Sequence, residues 1–189
     1  MALKVDNKIV IYHVPKTGGV WLAEALRVLG VPFEATKDRH VTPREYAPPG
    51  LPKVAFVRHP LSWYKSYFDY KLHNREYCGW SSQFDKDCQS GTFGEFIERV
   101  LEKHPGFLTK WFKEYMGEDW LAVDEIGCQE SLSVDCARIM TKYGIPMTEE
   151  RLTSVPRLNS MESQHSYLTD QIPAIEKAES ETIARFYSG

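Results

Sequence analysis

The sequence contains no apolar run near the roughly 20 residues that a membrane-spanning helix requires. Its opening, MALKVDNKIVIYHV, lacks the layout of a secretory signal: the apolar stretch is short, β-branched and followed by Pro15-Lys16. A cytoplasmic protein is therefore expected. Cysteine is sparse, with four residues at Cys78, Cys88, Cys128 and Cys136. No two of them form a CxxC pair, and no zinc-ligand spacing is present, so neither a metal ribbon nor a disulfide scaffold is expected. Free thiols fit a reducing compartment; Cys78 and Cys88 flank a polar loop and would pair only in an oxidising one. There is no arginine-rich arm or basic helix, which argues against a nucleic-acid partner. Repeats and low-complexity tracts are also missing, which excludes solenoids, collagen and coiled coils.

The 189 residues are 42% hydrophobic, 26% charged and 13% aromatic, an ordinary globular balance. A chain of this size buries roughly 70% of its unfolded surface, enough for a core without covalent staples, and a single domain over 1–189 is expected. The net charge of −3 conceals an asymmetry. Residues 1–75 carry 12 Lys+Arg against 6 Asp+Glu, leaving +6, and residues 76–189 carry 11 against 20, leaving −9. A basic first half suits an anionic ligand held there.

Periodicity predicts a buried strand over Lys8–His13 and a helix from Gly19 with Trp21, Leu22, Ala25, Leu26 and Leu29 inward and Gly30 as its stop. A second buried strand is predicted over Lys53–Arg58. Pro60 then opens a helix that buries Trp63, Tyr64, Tyr67, Phe68 and Leu72. Residues 77–91 read as a polar loop, and Thr92 with Glu95 as a capping box opening a helix to about His104. Further on come a helix near Phe107–Tyr115, a strand over Trp120–Ile126 and a helix over Leu132–Tyr143. The last element is a helix over Gln171–Tyr187 with Ile172, Ile175, Ile183 and Phe186 inward. Strands alternating with helices predict an α/β fold with three α/β/α layers around a central parallel sheet. Ligands of such sheets bind at the carboxyl ends of the strands, where the two informative segments fall.

The first segment is His13-Val14-Pro15-Lys16-Thr17-Gly18-Gly19-Val20-Trp21. A strand enters, a glycine turn follows and a helix leaves. Glycines admit a ligand close to backbone N–H groups, and the helix N-terminus favours an anion. Lys16 adds a positive charge and Thr17 a hydroxyl. The nucleotide-triphosphatase loop GxxxxGK[ST] is not present, because its first glycine, six residues before Lys16, would fall at Val10. The same pattern also fits a tight strand-to-helix turn that needs glycine for packing alone. In the second segment, Val54 to Tyr67, Arg58 ends a strand and Ser66 lies about 9 Å along the next helix at 1.5 Å per residue. Ser62, Ser66, Asp69 and His73 share the face opposite the aromatic stripe. Arginine's planar fork suits a phosphate shared with the Ser66 hydroxyl. Alternatively, Arg58 caps a sheet edge and the serines are solvated.

Together the two segments resemble the sulfotransferase family, whose donor is 3′-phosphoadenosine 5′-phosphosulfate. HVPKTGG resembles its 5′-phosphosulfate loop in the variant common among carbohydrate sulfotransferases. AFVRHPLSWYKSYF resembles its 3′-phosphate segment, with Arg58 eight positions before Ser66. DEIGCQESL (Asp124–Leu132) and RLNS (Arg157–Ser160) are similar to later family segments. Val20 and His59 depart from the family pattern. The resemblance implies a P-loop nucleotide-hydrolase-like fold, donor-binding motifs over 8–75 and acceptor or lid elements over 76–120. It implies donor contacts from Pro15, Lys16, Thr17, Gly18, Gly19, Val20, Trp21, Arg58 and Ser66, release of adenosine 3′,5′-bisphosphate, and no required metal.

The implied reaction moves a sulfuryl group to a hydroxyl or amine acceptor, a small molecule or glycan, with carbohydrate suggested by the HVPKTGG variant. Lys16 would neutralise charge on the leaving phosphate. The acceptor needs a base, and RHVT around His40 resembles the segment holding a catalytic histidine in carbohydrate members; Glu34, Asp38 and Glu45 are the fallbacks. His13 reads as a strand-end residue, His59 as a helix cap, and His73, His104 and His165 as exposed. Trp111 reads as core and Trp80 as an acceptor contact or lid residue. Two other functions fit the same residues. One is a small-molecule kinase using ATP and magnesium; the other is a nucleotide-binding module without turnover.

Overall fold

A computed structural model describes residues 1–38, 40–73, 80–156, 158 and 163–188. Cys78 and, from the RLNS segment, Arg157, Asn159 and Ser160 lie outside the described residues. The chain divides into two compact units, Met1–Arg58 with Phe112–Ser160, and His59–Trp111 with Met161–Gly189.

The first unit is built on strands β1 (Ala2–Val5), β2 (Ile9–Tyr12), β3 (Phe33–Ala35), β4 (Lys53–Val57) and β5 (Glu125–Cys128), in the order β3-β1-β2-β4-β5. β2, β4 and β5 are parallel, with Tyr12 opposite Ala55 and Val57 opposite Cys128. β1 runs antiparallel to both β2 and β3. The sheet is therefore mixed, which corrects the expected parallel sheet. The cause is a tight hairpin: Asp6 and Asn7 take φ of 48° and 51°, and Lys8 N–H donates to the Val5 carbonyl at 2.9 Å. Asn and Asp tolerate that left-handed geometry, and two such residues in sequence match a type I′ turn.

One sheet face carries Leu3, Val5, Ile9, Ile11, Val54 and Phe56. It packs with the buried sides of α1 (Gly19–Val28), α6 (Leu132–Lys142) and α7 (Glu149–Thr153). Every residue of β2 is buried, as a continuous β-branched run predicts for a central strand. Gly30 and Gly144 follow their helices with φ of 68° each, where a left-handed residue closes a helix at least cost. The expected strand at Trp120–Ile126 falls later, at Glu125–Cys128. Trp120 instead sits in a turn with φ 65°, its N–H bonded to the Gly117 carbonyl.

The second unit is helical, with α2 (Pro60–His73), α3 (Gln83–Cys88), α4 (Phe93–Lys103), α8 (Gln171–Ala178) and α9 (Ser180–Phe186); the unit boundary falls inside α5 (Phe107–Met116). Its core is aromatic: Trp63 stacks on Tyr67 at 4.7 Å, and Phe84 on Phe107 at 3.6 Å. α3 occupies part of the expected polar loop. Ser82 and Asp85 form its reciprocal capping box, whereas Thr92 at α4 accepts from Glu95 N–H in one direction only. The expected final helix is broken at Glu179. Ile175 is buried but Ile172 is exposed, so Ile172 faces solvent rather than the core.

Three buried charged residues were not read from the sequence. Lys71 donates to Asp85 at 2.7 Å, and Tyr67 donates to the other carboxylate oxygen at 2.7 Å. Burial pushes the Asp85 carboxyl up, but the bonds from Lys71, Tyr67 and Ser82 outweigh it and hold it below the usual range. Glu179, fully buried, accepts from the Tyr64 hydroxyl, the Leu108 and Thr109 N–H groups and the Thr109 hydroxyl. The Leu108 and Thr109 N–H groups are orphan donors at the start of α5, and this carboxylate satisfies them.

Candidate functional site at the carboxyl ends of β2 and β4

β2 ends at Tyr12, and the chain turns through Val14-Pro15-Lys16-Thr17-Gly18 into α1. Two residues of this turn are left-handed: Lys16 with φ 67° and Gly18 with φ 91°. A lysine at positive φ is uncommon and strained, and such strain gathers at sites where the surroundings fix the backbone. One fixing contact is Arg58, which follows β4 and donates from Nη1 to the Lys16 carbonyl at 3.2 Å. The two segments singled out in the sequence thus meet at the ends of adjacent parallel strands.

The glycines have packing reasons of their own. A Cβ on Gly18 would lie 2.4 Å from Leu132 Cδ2, and one on Gly19 would lie 2.3 Å from His13 Cδ2. His13 therefore packs across the turn. Gly18 caps α1 without a side-chain hydrogen bond, and the first intrahelical bond runs from Leu22 N–H to the Gly18 carbonyl at 3.0 Å. The N–H groups of Gly19, Val20 and Trp21 thus precede the ladder, the usual condition for holding an anion.

Thr17 is only 2% exposed, and its hydroxyl donates to the Val14 carbonyl at 2.8 Å. Its proton serves the turn, which leaves its oxygen only as an acceptor. Trp21 lies in the hydrophobic core, and its indole N–H has no hydrogen-bond partner among the described residues. Val20 is 48% exposed beside the turn.

His40 is exposed in the loop after β3, with its carbonyl accepting from the Tyr115 hydroxyl at 3.4 Å. It lines an open basin of about 560 Å³ with Thr36, Asp38, Val41, Glu45 and Tyr46. The Tyr12 hydroxyl donates to the Tyr46 carbonyl at 2.6 Å, which ties this loop to the end of β2. Burial pushes the Tyr12 phenol up to about 12, so it stays a donor at neutral pH.

In the second unit, Pro60 opens α2, and His59 Nδ1 accepts from Leu61 N–H at 3.3 Å, capping the helix. Ser62, Ser66 and Asp69 are half-buried and His73 exposed, opposite buried Trp63, Tyr64, Tyr67 and Phe68, as the helical period predicts. Leu72 is only half-buried, and Lys71 takes the inward position. His104 and His165 are half-buried rather than exposed. They pair with Asp87 at 2.8 Å and Asp69 at 3.2 Å. Trp80 packs its ring against Phe68 and Phe96 at 6.3 and 6.0 Å instead of standing clear as a lid residue. Trp111 packs against Trp63 at 5.5 Å, as expected of a core residue.

No family model, curated protein or solved structure matches this chain. Among the described residues no group of three or more His, Cys, Asp or Glu could hold a metal, and no helix is long and apolar enough to cross a membrane. Burial pushes the Cys88 and Cys136 thiols up to about 12, so they are poor nucleophiles. Asp135 holds the β5–α6 connection, accepting from Cys128 N–H and the Ser131 hydroxyl.

Proposed function

We propose that this protein is a sulfotransferase of P-loop-like α/β/α architecture. It would use 3′-phosphoadenosine 5′-phosphosulfate as donor and act in the cytoplasm on a hydroxyl or amine acceptor. The observation that carries the reading is the bond from Arg58 to the Lys16 carbonyl, which joins the two phosphate-type segments at adjacent strand ends. The residues present suit such a donor: a cationic Lys16 on a left-handed turn, helix N–H groups ahead of their ladder, and a planar guanidinium. Lys16 and the first N–H groups of α1 would hold the 5′ end. Arg58 would hold the 3′-phosphate.

Sulfuryl transfer forms a bond from acceptor oxygen to sulfur as the bond from sulfur to the bridging phosphate oxygen breaks, and the acceptor proton passes to a base. In this reading Lys16 offsets the charge left on the phosphate, and a preorganised donor of this kind contributes about 3 kcal/mol to the barrier. His40 is the proposed base, since a histidine titrates near neutral pH. No metal ligand enters the scheme.

The test pairs binding with turnover. Adenosine 3′,5′-bisphosphate should raise the melting temperature more than ATP with magnesium, and radiolabelled donor should pass sulfate to a component of a mixed acceptor extract. Stabilisation by ATP–magnesium alone would make the protein a kinase instead. Bisphosphate binding without transfer to any acceptor would make it a binding module.

A further inference from the structure

His13 does more than end a strand. Ile9 and Ile11 of β2 face the α1 side of the sheet. One further step of the two-residue alternation puts His13 on the same face, and its N–H extends the hairpin pairing by donating to the Met1 carbonyl at 2.9 Å. The half-buried imidazole then lies against Gly19, the first residue of α1. The point where a Cβ on Gly19 would stand is 2.3 Å from Cδ2, 2.7 Å from Cγ and 3.0 Å from Nε2 of the ring. The edge that ends in Nε2 is thus the one turned toward the start of the helix.

Gly19 makes this approach possible. Glycine is a poor helix former, and Gly19 does not adopt a positive φ, so no backbone conformation requires it. What it supplies is room for the ring. A phenyl group would fill that room equally well. An imidazole adds a polar edge beside the Gly19, Val20 and Trp21 N–H groups, which precede the α1 ladder.

A second side-chain donor at this end of α1 lacks an acceptor. Trp21 is 8% exposed, and its buried indole N–H has no partner among the described residues. Helical side chains lean toward the helix N-terminus, which carries this ring toward the Gly18-Gly19 turn. A buried donor without an acceptor is rare in folded proteins, and a bound ion or ligand is one of its usual causes.

We propose that His13 is a further contact of this site, its Nε2 donating a hydrogen bond to an oxygen of the phosphate or sulfate group held at the start of α1. The proposal rests on the anion-binding part of the sulfotransferase reading and adds a side chain to Lys16 and Arg58. An imidazole has two ring nitrogens, so one can serve the ligand while the other serves the protein.

The experiment is calorimetry on the full chain as wild type, His13→Phe and His13→Gln. The probes are adenosine 3′,5′-bisphosphate, adenosine 3′-phosphate and inorganic phosphate. Phenylalanine keeps a ring against Gly19 and removes the donor; glutamine offers an amide N–H near the Nε2 position. His13→Phe should bind the bisphosphate about tenfold more weakly, the lower end for one hydrogen bond to a charged group. It should bind adenosine 3′-phosphate, which has no 5′ group, as tightly as the wild type does. His13→Gln should recover most of the lost affinity. In ¹⁵N spectra of the wild type, the His13 Nε2 resonance should move with the bisphosphate and stay in place with adenosine 3′-phosphate, a readout that needs no variant to fold.

An equal loss for both nucleotides in His13→Phe overturns the proposal, because the ring would then only pack. An Nε2 resonance unmoved by the bisphosphate overturns it too. If His13→Phe binds the bisphosphate as tightly as the wild type, the His13 contact falls and the donor reading stands. If inorganic phosphate moves the Nε2 resonance and the bisphosphate binds no more tightly than inorganic phosphate, the sulfotransferase reading falls and the His13 contact stands. If neither probe binds, both fall.

Discussion

Arg58 donates from Nη1 to the Lys16 carbonyl at 3.2 Å, although 42 residues separate them. β2 and β4 are parallel neighbours, so the chain segments leaving their carboxyl ends emerge side by side. The bond gives Arg58 two consequences: it holds the backbone of a left-handed lysine, and it keeps a guanidinium beside the proposed 5′ site.

Arg58→Ala should raise the donor KM more than it lowers kcat, since a phosphate contact held in both ground and transition states is lost. Arg58→Lys should recover little, because an ammonium lacks the planar fork. Initial-rate kinetics with varied donor check this, and unchanged donor affinity would remove Arg58 from the site.

Lys16→Ala should lower turnover by about a hundred- to a thousandfold, the range for loss of a preorganised electrostatic contact. His40→Ala should retain binding of adenosine 3′,5′-bisphosphate by calorimetry while losing sulfate transfer. A fully active His40→Ala enzyme would move the base to another group.

Gly19→Ala and Gly18→Ala should differ in how they are rescued. At Gly19 the obstacle is the His13 ring, so the added methyl should cost about 1–3 kcal/mol and His13→Ala should restore most of it. At Gly18 the φ of 91° adds backbone strain of about 1–2 kcal/mol, which Leu132→Ala cannot relieve. Urea unfolding of the two double mutants separates the cases.

The Lys71–Asp85 pair should make stability fall with acid. The folded Asp85 carboxyl titrates below its ordinary value of about 3.9, so its contribution is complete above that value and is lost as pH falls through the folded one. Unfolding free energy measured by urea from pH 6 to pH 2 should decline less steeply in Asp85→Asn. Lys71→Met at neutral pH strands a buried carboxylate and should cost about 3–5 kcal/mol.

Glu179→Ala should be among the most damaging single changes in the helical unit. It would leave the Leu108 and Thr109 N–H groups and the Tyr64 hydroxyl unpaired, each costing about 1–3 kcal/mol. Glu179→Gln keeps an acceptor and should cost less. Thermal melts of the two variants check the order.

Lys8–His13, Lys53–Arg58 and Gly19–Leu29 declared themselves through local pattern, because a buried strand needs a β-branched run and a helix facing one core needs a 3.6-residue stripe. The Asp6-Asn7 hairpin was missed because its signal is only two residues long and lacks the usual glycine. Glu179 and Lys71 were missed for a different reason. A charged residue among apolar neighbours reads as solvent-facing until its partners are known, and those partners, Thr109 and Asp85, lie 70 and 14 residues away.

The two segments proposed to hold phosphate could be read along the chain because each is a strand, a turn and a helix start in unbroken order. That order alone determined their chemistry: a lysine with glycines at one strand end, an arginine at the other. Their meeting was decided by the sheet, because only parallel pairing of β2 with β4 brings Arg58 to the Lys16 carbonyl. The packing role of Gly18 and Gly19 was likewise hidden, since it depends on Leu132 and on the His13 ring. Local sequence sets what each turn offers. Strand order, fixed by burial of both faces of β2, sets which offers lie side by side.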